Sequence, residues 1–287
     1  MFNYSTQTNK QMKEKLSKQL SKKMLFSAVM GSLLMLAIQP SFAFTLTGSA
    51  EEKGLAIAQE SDSRNLGWND SQTAMTMTLR NKQGDESRRE LRLKSLEVQG
   101  DGDKSMTVFD SPKDVKGTGL MSYSHITKSD DQWLYLPALK RIKRISSKNK
   151  SGPFMGSEFA FEDLSSFEVE KYEYKYLGEE KANGLDSYKS EMTPVYKHSG
   201  YSKIVVWLDK KEFRIQKMDF YDRKRSLLKT QLFEDYKIYL GKYWRAHKNL
   251  MTNHQTGKST TLEFSDYKFQ TGLKASQFSK NALKRIR

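Results

Sequence analysis

The chain contains no cysteine. No disulfide can staple it, no thiolate can act as nucleophile or zinc ligand, and no lipid can be attached to an N-terminal cysteine. Histidine is scarce: His125, His198, His247 and His254 are the only four, and their spacing fits no metal site. Neither a Gly-x-Ser-x-Gly elbow nor a phosphate-cradling glycine loop occurs. Glu158, Glu162 and Asp163 could pose as an acid and base pair, but capping of a short helix or pairing with nearby cations explains them more cheaply. These absences count against an enzyme and leave binding as the leading class.

Long apolar runs are also missing, apart from residues 24–38, which fall short of the roughly 20 residues needed to cross a bilayer. A leader carrying Lys10, Lys13, Lys15, Lys18, Lys22 and Lys23 precedes this run, Pro40 ends it, and Ser41-Phe42-Ala43 follows as a peptidase site. The expectation is a signal peptide cleaved after Ala43, with a retained anchor as the alternative, and a single domain over 44–287 in the periplasm. The full chain has a formal charge of +15, and without the leader it is about +10, so an anionic partner surface is expected. Export removes nucleic acid from consideration, whereas envelope phospholipid and lipopolysaccharide carry the required charge.

Ser49-Ala50-Glu51-Glu52 reads as a capping box opening a helix that ends near Gly67. From Thr73 the period becomes two: Met75, Met77 and Leu79 alternate with Thr76, Thr78 and Arg80, as in a half-buried strand. Leu91 and Leu93 continue the alternation, and its parity changes between Ser95 and Leu96, which predicts a bulge. Strand and turn alternate onward to Phe269, with one short helical patch over 161–166. So many consecutive strands argue for one strongly curved antiparallel sheet or barrel. Charged residues at outward positions, such as Glu173 and Lys175 among Tyr172, Tyr174 and Tyr176, argue against a membrane-inserted barrel.

Residues 131–166 join an aromatic strand, a cationic patch and a glycine-broken aromatic stretch. Lys140, Arg141, Lys143 and Arg144, with Lys148 and Lys150, surround Ile142 and Ile145, so the isoleucines anchor and the cations point outward. The patch either holds an anionic head group, membrane surface or acidic partner, or it is an edge strand protected by charge. Gly152, Pro153 and Gly156 make the next stretch a candidate flap, with Phe154, Met155 and Phe159 able to dip into a cavity. Otherwise it is a surface loop.

Five segments then carry a family resemblance: Met-Thr-Met-Thr-Leu-Arg-Asn (75–81), Asp-Gly-Asp-Lys-Ser (101–105), Asp-Gln-Trp-Leu-Tyr-Leu-Pro (131–137), Lys-Ser-Gly-Pro-Phe-Met-Gly-Ser-Glu-Phe (150–159) and Phe-Tyr-Asp-Arg-Lys (220–224). Together they resemble the outer-membrane lipoprotein-sorting proteins, the LolA-like group found beside RND-type exporters. The resemblance implies an unclosed antiparallel β-barrel whose mouth is plugged by helices, with an apolar cavity that shields acyl chains and no cofactor. The expected function is a periplasmic carrier passing a lipid or lipoprotein between envelope partners, with an inner-membrane RND-type exporter as a candidate partner. A lipid-sensing regulatory module is the alternative, and a hydrolase a distant third. Met75, Met77, Leu79, Leu91 and Leu93 are candidate wall residues, and Trp133 and Tyr135 candidates for the cavity mouth. The plainer reading makes all of them solid core.

Overall fold

The computed structural model describes residues 44–286. The expected signal peptide and its cleavage site lie outside them. Helix α1 (Ala50–Arg64) opens on the expected capping box: the Ser49 N–H donates to Glu52 Oε2 at 2.7 Å, and the Glu52 N–H donates to Ser49 Oγ at 3.2 Å. Its first turn is acidic and its last carries Arg64, both favourable to the helix dipole. Gly54 lets the helix lie on the sheet, since a Cβ there would sit 3.0 Å from the Tyr174 Cβ and the Lys175 amide.

Thirteen strands follow: β1 (Asp70–Arg80), β2 (Glu86–Leu96), β3 (Lys104–Ser111), β4 (Gly119–Tyr123), β5 (Asp131–Leu136), β6 (Arg141–Ile145), β7 (Tyr172–Ala182), β8 (Leu185–Pro194), β9 (Tyr201–Asp209), β10 (Ile215–Asp222), β11 (Leu227–Tyr239), β12 (Tyr243–Asn253) and β13 (Ser259–Phe269). A short helix, α2 (Lys280–Lys284), comes last. All the strands join one antiparallel sheet in the order β6-β5-β4-β3-β2-β1-β13-β12-β11-β10-β9-β8-β7. Sequence-adjacent strands pair as hairpins, and the β1–β13 ladder joins the two halves. β6 and β7 are free edges, so the barrel does not close.

This topology forces residues 146–171 to travel from one edge of the sheet to the other. Antiparallel partners share a face, so register places Phe109, Leu91, Met75 and Phe264 on one side. The crossing segment lies on that side. Phe154 packs 5.6 Å from Phe109, centroid to centroid, and Gln132 Nε2 donates to the Phe161 carbonyl at 2.8 Å. The crossing segment is therefore a plug that spans part of the face from the N-terminal strands to β9, β11 and β12, with 3-10 turns at Ser147–Asn149, Phe161–Leu164 and Val169–Lys171. The helical patch expected over 161–166 is one of these turns, and β7 begins at Tyr172.

The opposite face is covered by the C-terminal segment. Met106, Met121 and Trp133 are cross-strand neighbours there and cluster with Phe278 and Leu283. Tyr123 Oη donates to the Phe278 carbonyl, tying the tail to β4. This second buried face corrects one expectation. β1 and β2 pair without interruption from Asp70–Leu96 to Arg80–Glu86, so no bulge lies at Ser95 and Leu96. The parity changes because Leu96 packs into the tail-covered cluster while Leu91 faces the plug.

Candidate ligand-binding chamber

Where the plug ends, α1 takes over as roof. Between α1 and the concave face of β8 to β12 lies a chamber of about 1200 Å³, above the roughly 300–1,000 Å³ of most small-molecule sites. Ile57 and Ala58 face it from the helix, and Met192, Val206, Met218 and Phe233 from the sheet. A narrower extension of about 260 Å³ runs under the plug and shares Phe167, Met218, Phe233 and Asn249 with it. A third cavity, about 950 Å³, lies beyond the plug, between residues 151–160 and the β10–β11 and β12–β13 turns. Arg223, Lys224 and Lys258 make its rim basic.

The sequence-derived candidates separate into three groups. Met75, Met77 and Leu91 lie on the concave face and are 4, 0 and 2 % exposed, but the plug covers them and none lines the three cavities. Leu79 and Leu93 share that face and are partly buried. Phe154 and Phe159 are buried plug residues, and Met155, in a left-handed conformation, accepts a 2.6 Å hydrogen bond on its carbonyl from Arg89. Trp133 and Tyr135 belong to the tail-covered cluster on the other face, away from the chamber. Alternation groups Met75, Met77, Leu79, Leu91 and Leu93 on one face, but it cannot tell which face is hollow, as Trp133 and Tyr135 show, or which stretch of a face a distant segment will cover.

The basic group also divides. Arg141, Lys143 and Arg144 are exposed on edge strand β6, with Lys140 exposed just before it and Ile145 buried at its end. Arg144 pairs with Asp131. Lys150 departs from the outward reading: it is buried, and its Nζ donates to the Asp130 carbonyl at 2.6 Å. Asp130 also accepts from buried Lys171, so a single carboxylate anchors both ends of the plug.

A second buried pair pins the plug's centre. Lys229 Nζ donates to Asp163 Oδ2 at 2.6 Å and to the Glu158 carbonyl at 2.9 Å, and Tyr201 Oη donates to Asp163 Oδ1 at 2.7 Å. Asn253 holds the Glu158 carboxylate at 2.6 Å. Burial, and then the Asp163 charge, push Glu162 upward, while the Gly200 N–H and Ser199 Oγ donate to it. Asp163 also accepts from the Ala160 N–H, so these carboxylates do cap and pair, with partners up to 95 residues away in sequence. Lysines spaced through polar strands gave no sign of this.

At the end of the chamber where α1, the turn before β3 and the close of the plug meet, the wall is acidic. Burial, then neighbouring Glu97, push Asp103 up to about 6. Burial, then Asp103, push Glu168 up to about 7. Burial, then Glu170, raise Asp62. The cations on the same lining are committed: Arg64 pairs with Glu60 at 2.7 Å and Arg214 with Asp209 at 2.8 Å, Lys242 donates to the Leu66 carbonyl at 2.8 Å, and Arg245 donates to the neutral Asn65 Oδ1 at 2.7 Å and to the Trp244 carbonyl at 2.8 Å. Burial depresses Arg245.

An unclosed antiparallel sheet whose concave face and leading helix leave a large chamber between them, apolar on the sheet and charged at one end, defines the class of this fold. Solved structures sharpen that class. A domain from Vibrio parahaemolyticus named for outer-membrane lipoprotein sorting is 62% identical, with a TM-score of 0.81, over 82% of this chain and 100% of its own. A DUF1329 family protein from Desulfovibrio piger is 29% identical with a TM-score of 0.78, over the same shares of the two chains. A LolA superfamily protein from Nitrosomonas europaea shares the fold at 20% identity and a TM-score of 0.65, again over 82% of this chain and 100% of its own. A family model described as an uncharacterized protein matches residues 101–285. No curated protein matches the chain. The chain belongs to the outer-membrane lipoprotein-sorting protein family.

Proposed function

We propose that the protein is a periplasmic carrier that takes the acyl chains of a lipid or lipoprotein into the chamber beneath α1 and passes them between envelope partners, an RND-type exporter among them. The chamber itself is the observation that supports this reading. Its apolar walls replace the membrane interior, at about 25 cal/mol for each Å² of cargo surface removed from water. Methionines such as Met192 and Met218 adapt to chains of irregular shape. The exposed cations at and just before β6, Lys140, Arg141, Lys143 and Arg144, supply the contact with an anionic head group or membrane surface.

Extraction and mass spectrometry of ligand from protein purified out of the bacterial envelope, with transfer of labelled lipid between vesicles, tests the proposal. Wild type is expected to co-purify with acyl lipid and to transfer it without turnover. Ala58→Trp, which projects an indole from α1 into the chamber, is expected to lose most bound lipid while keeping a cooperative thermal transition. Equal lipid content in a folded Ala58→Trp variant would place the cargo elsewhere.

A further inference from the structure

We propose that the chamber's ligand carries an ammonium group, held by Asp62, Asp103 and Glu168 at the acidic end. This deepens the carrier reading and rests on it. The three carboxylates come from α1, the turn before β3 and the close of the plug, and all line the same chamber. Among the described residues none of them forms an ion pair, in a chain with an excess of positive charge.

The neighbouring charged groups are already occupied. The Glu97 carboxylate accepts from the Gly67 and Asn69 N–H groups at 2.6 and 2.7 Å. Asp101 accepts from the Ile126 N–H and contacts His125 Nδ1 at 2.7 Å. Lys171 is bound to Asp130, and Arg214 and Arg245 are committed as described above. Asp103 accepts only from the Val98 N–H at 3.1 Å and, distantly, from Ser166 Oγ at 3.4 Å.

An independent feature points to a polar ligand group in the same space. Ser190, 1 % exposed, lines the chamber floor, and among the described residues its Oγ has no hydrogen-bond partner, nor has Asn249 Oδ1, also on the lining. Buried polar atoms are normally paired, so these two mark where a ligand's polar linkage would be met. A primary ammonium offers three N–H donors, and its charge relieves the repulsion that Asp62 exerts on Asp103 and both exert on Glu168. A bare metal ion fits less well: no group of three or more carboxylate or imidazole side chains among the described residues is arranged to hold one.

Displacement of a neutral solvatochromic dye from the intact protein, by amphiphiles of one chain length bearing amine, alcohol or carboxylate heads, tests this. The amine is expected to bind about tenfold or more tighter than the alcohol, and the carboxylate most weakly. In the Asp103→Asn/Glu168→Gln variant the ratio of amine to alcohol affinity is expected to fall toward unity. Equal binding of amine and carboxylate by wild type, or a ratio that survives the double substitution, overturns the inference while leaving the carrier reading intact. Release of bound amine by calcium, but not by sodium chloride of equal ionic strength, would reassign the carboxylates to a metal and also overturn it. If no head group displaces the dye, the carrier reading and this inference fall together.

Discussion

At the residue scale, Asp103 and Glu168 carry a cost of folding. Their folded-state values, about 6 and about 7, lie above those of ordinary carboxylates because burial and mutual repulsion disfavour the charged forms. A raised acid binds more protons folded than unfolded, so its stabilising contribution is complete below its unfolded value and is lost as pH climbs through the folded one. The thermal midpoint is therefore expected to fall between about pH 4 and about pH 7. Asp103→Asn/Glu168→Gln should flatten that slope and raise the midpoint above neutrality, as measured by calorimetry across pH. An unchanged slope would mean that the two carboxylates do not control it.

At the element scale, the plug is held by buried charge as much as by its aromatics. Lys229→Met would leave Asp163 buried without its counter-ion, and losing one partner of such a pair costs about 3–5 kcal/mol. Urea unfolding should record a loss of that size, and limited proteolysis should show earlier cleavage within residues 151–157. β6 behaves differently, because its cations are exposed and exposed pairs contribute little. Arg141→Glu/Arg144→Glu is expected to keep the fold and to weaken binding to anionic vesicles at low salt, with the difference shrinking as salt screens it. Undiminished vesicle binding would leave β6 with the role of a charge-protected edge, which discourages strand-to-strand aggregation.

At the scale of the whole molecule, legibility followed the range of the interactions. The capping box at Ser49 and Glu52, and the strands ending at Asn253 and Phe269, depend on neighbours a few residues apart and were readable from spacing alone. The chamber was not readable, because its walls come from α1 and from strands more than a hundred residues later. Met75 and Met218 follow the same alternating pattern, yet the plug covers one and leaves the other lining open space. Lys150 and Lys143 sit in one basic run, and only the plug's turn back over Asp130 buries the first and exposes the second.

Period-two alternation, local capping and turn chemistry were enough to establish a strongly curved antiparallel sheet or barrel with one leading helix, since each is set by residues close along the chain. Tertiary structure decided where that sheet stays hollow. A topology that leaves β6 and β7 at opposite edges compels residues 146–171 to cross the concave face, and the volume that crossing leaves unfilled beneath α1 is the chamber.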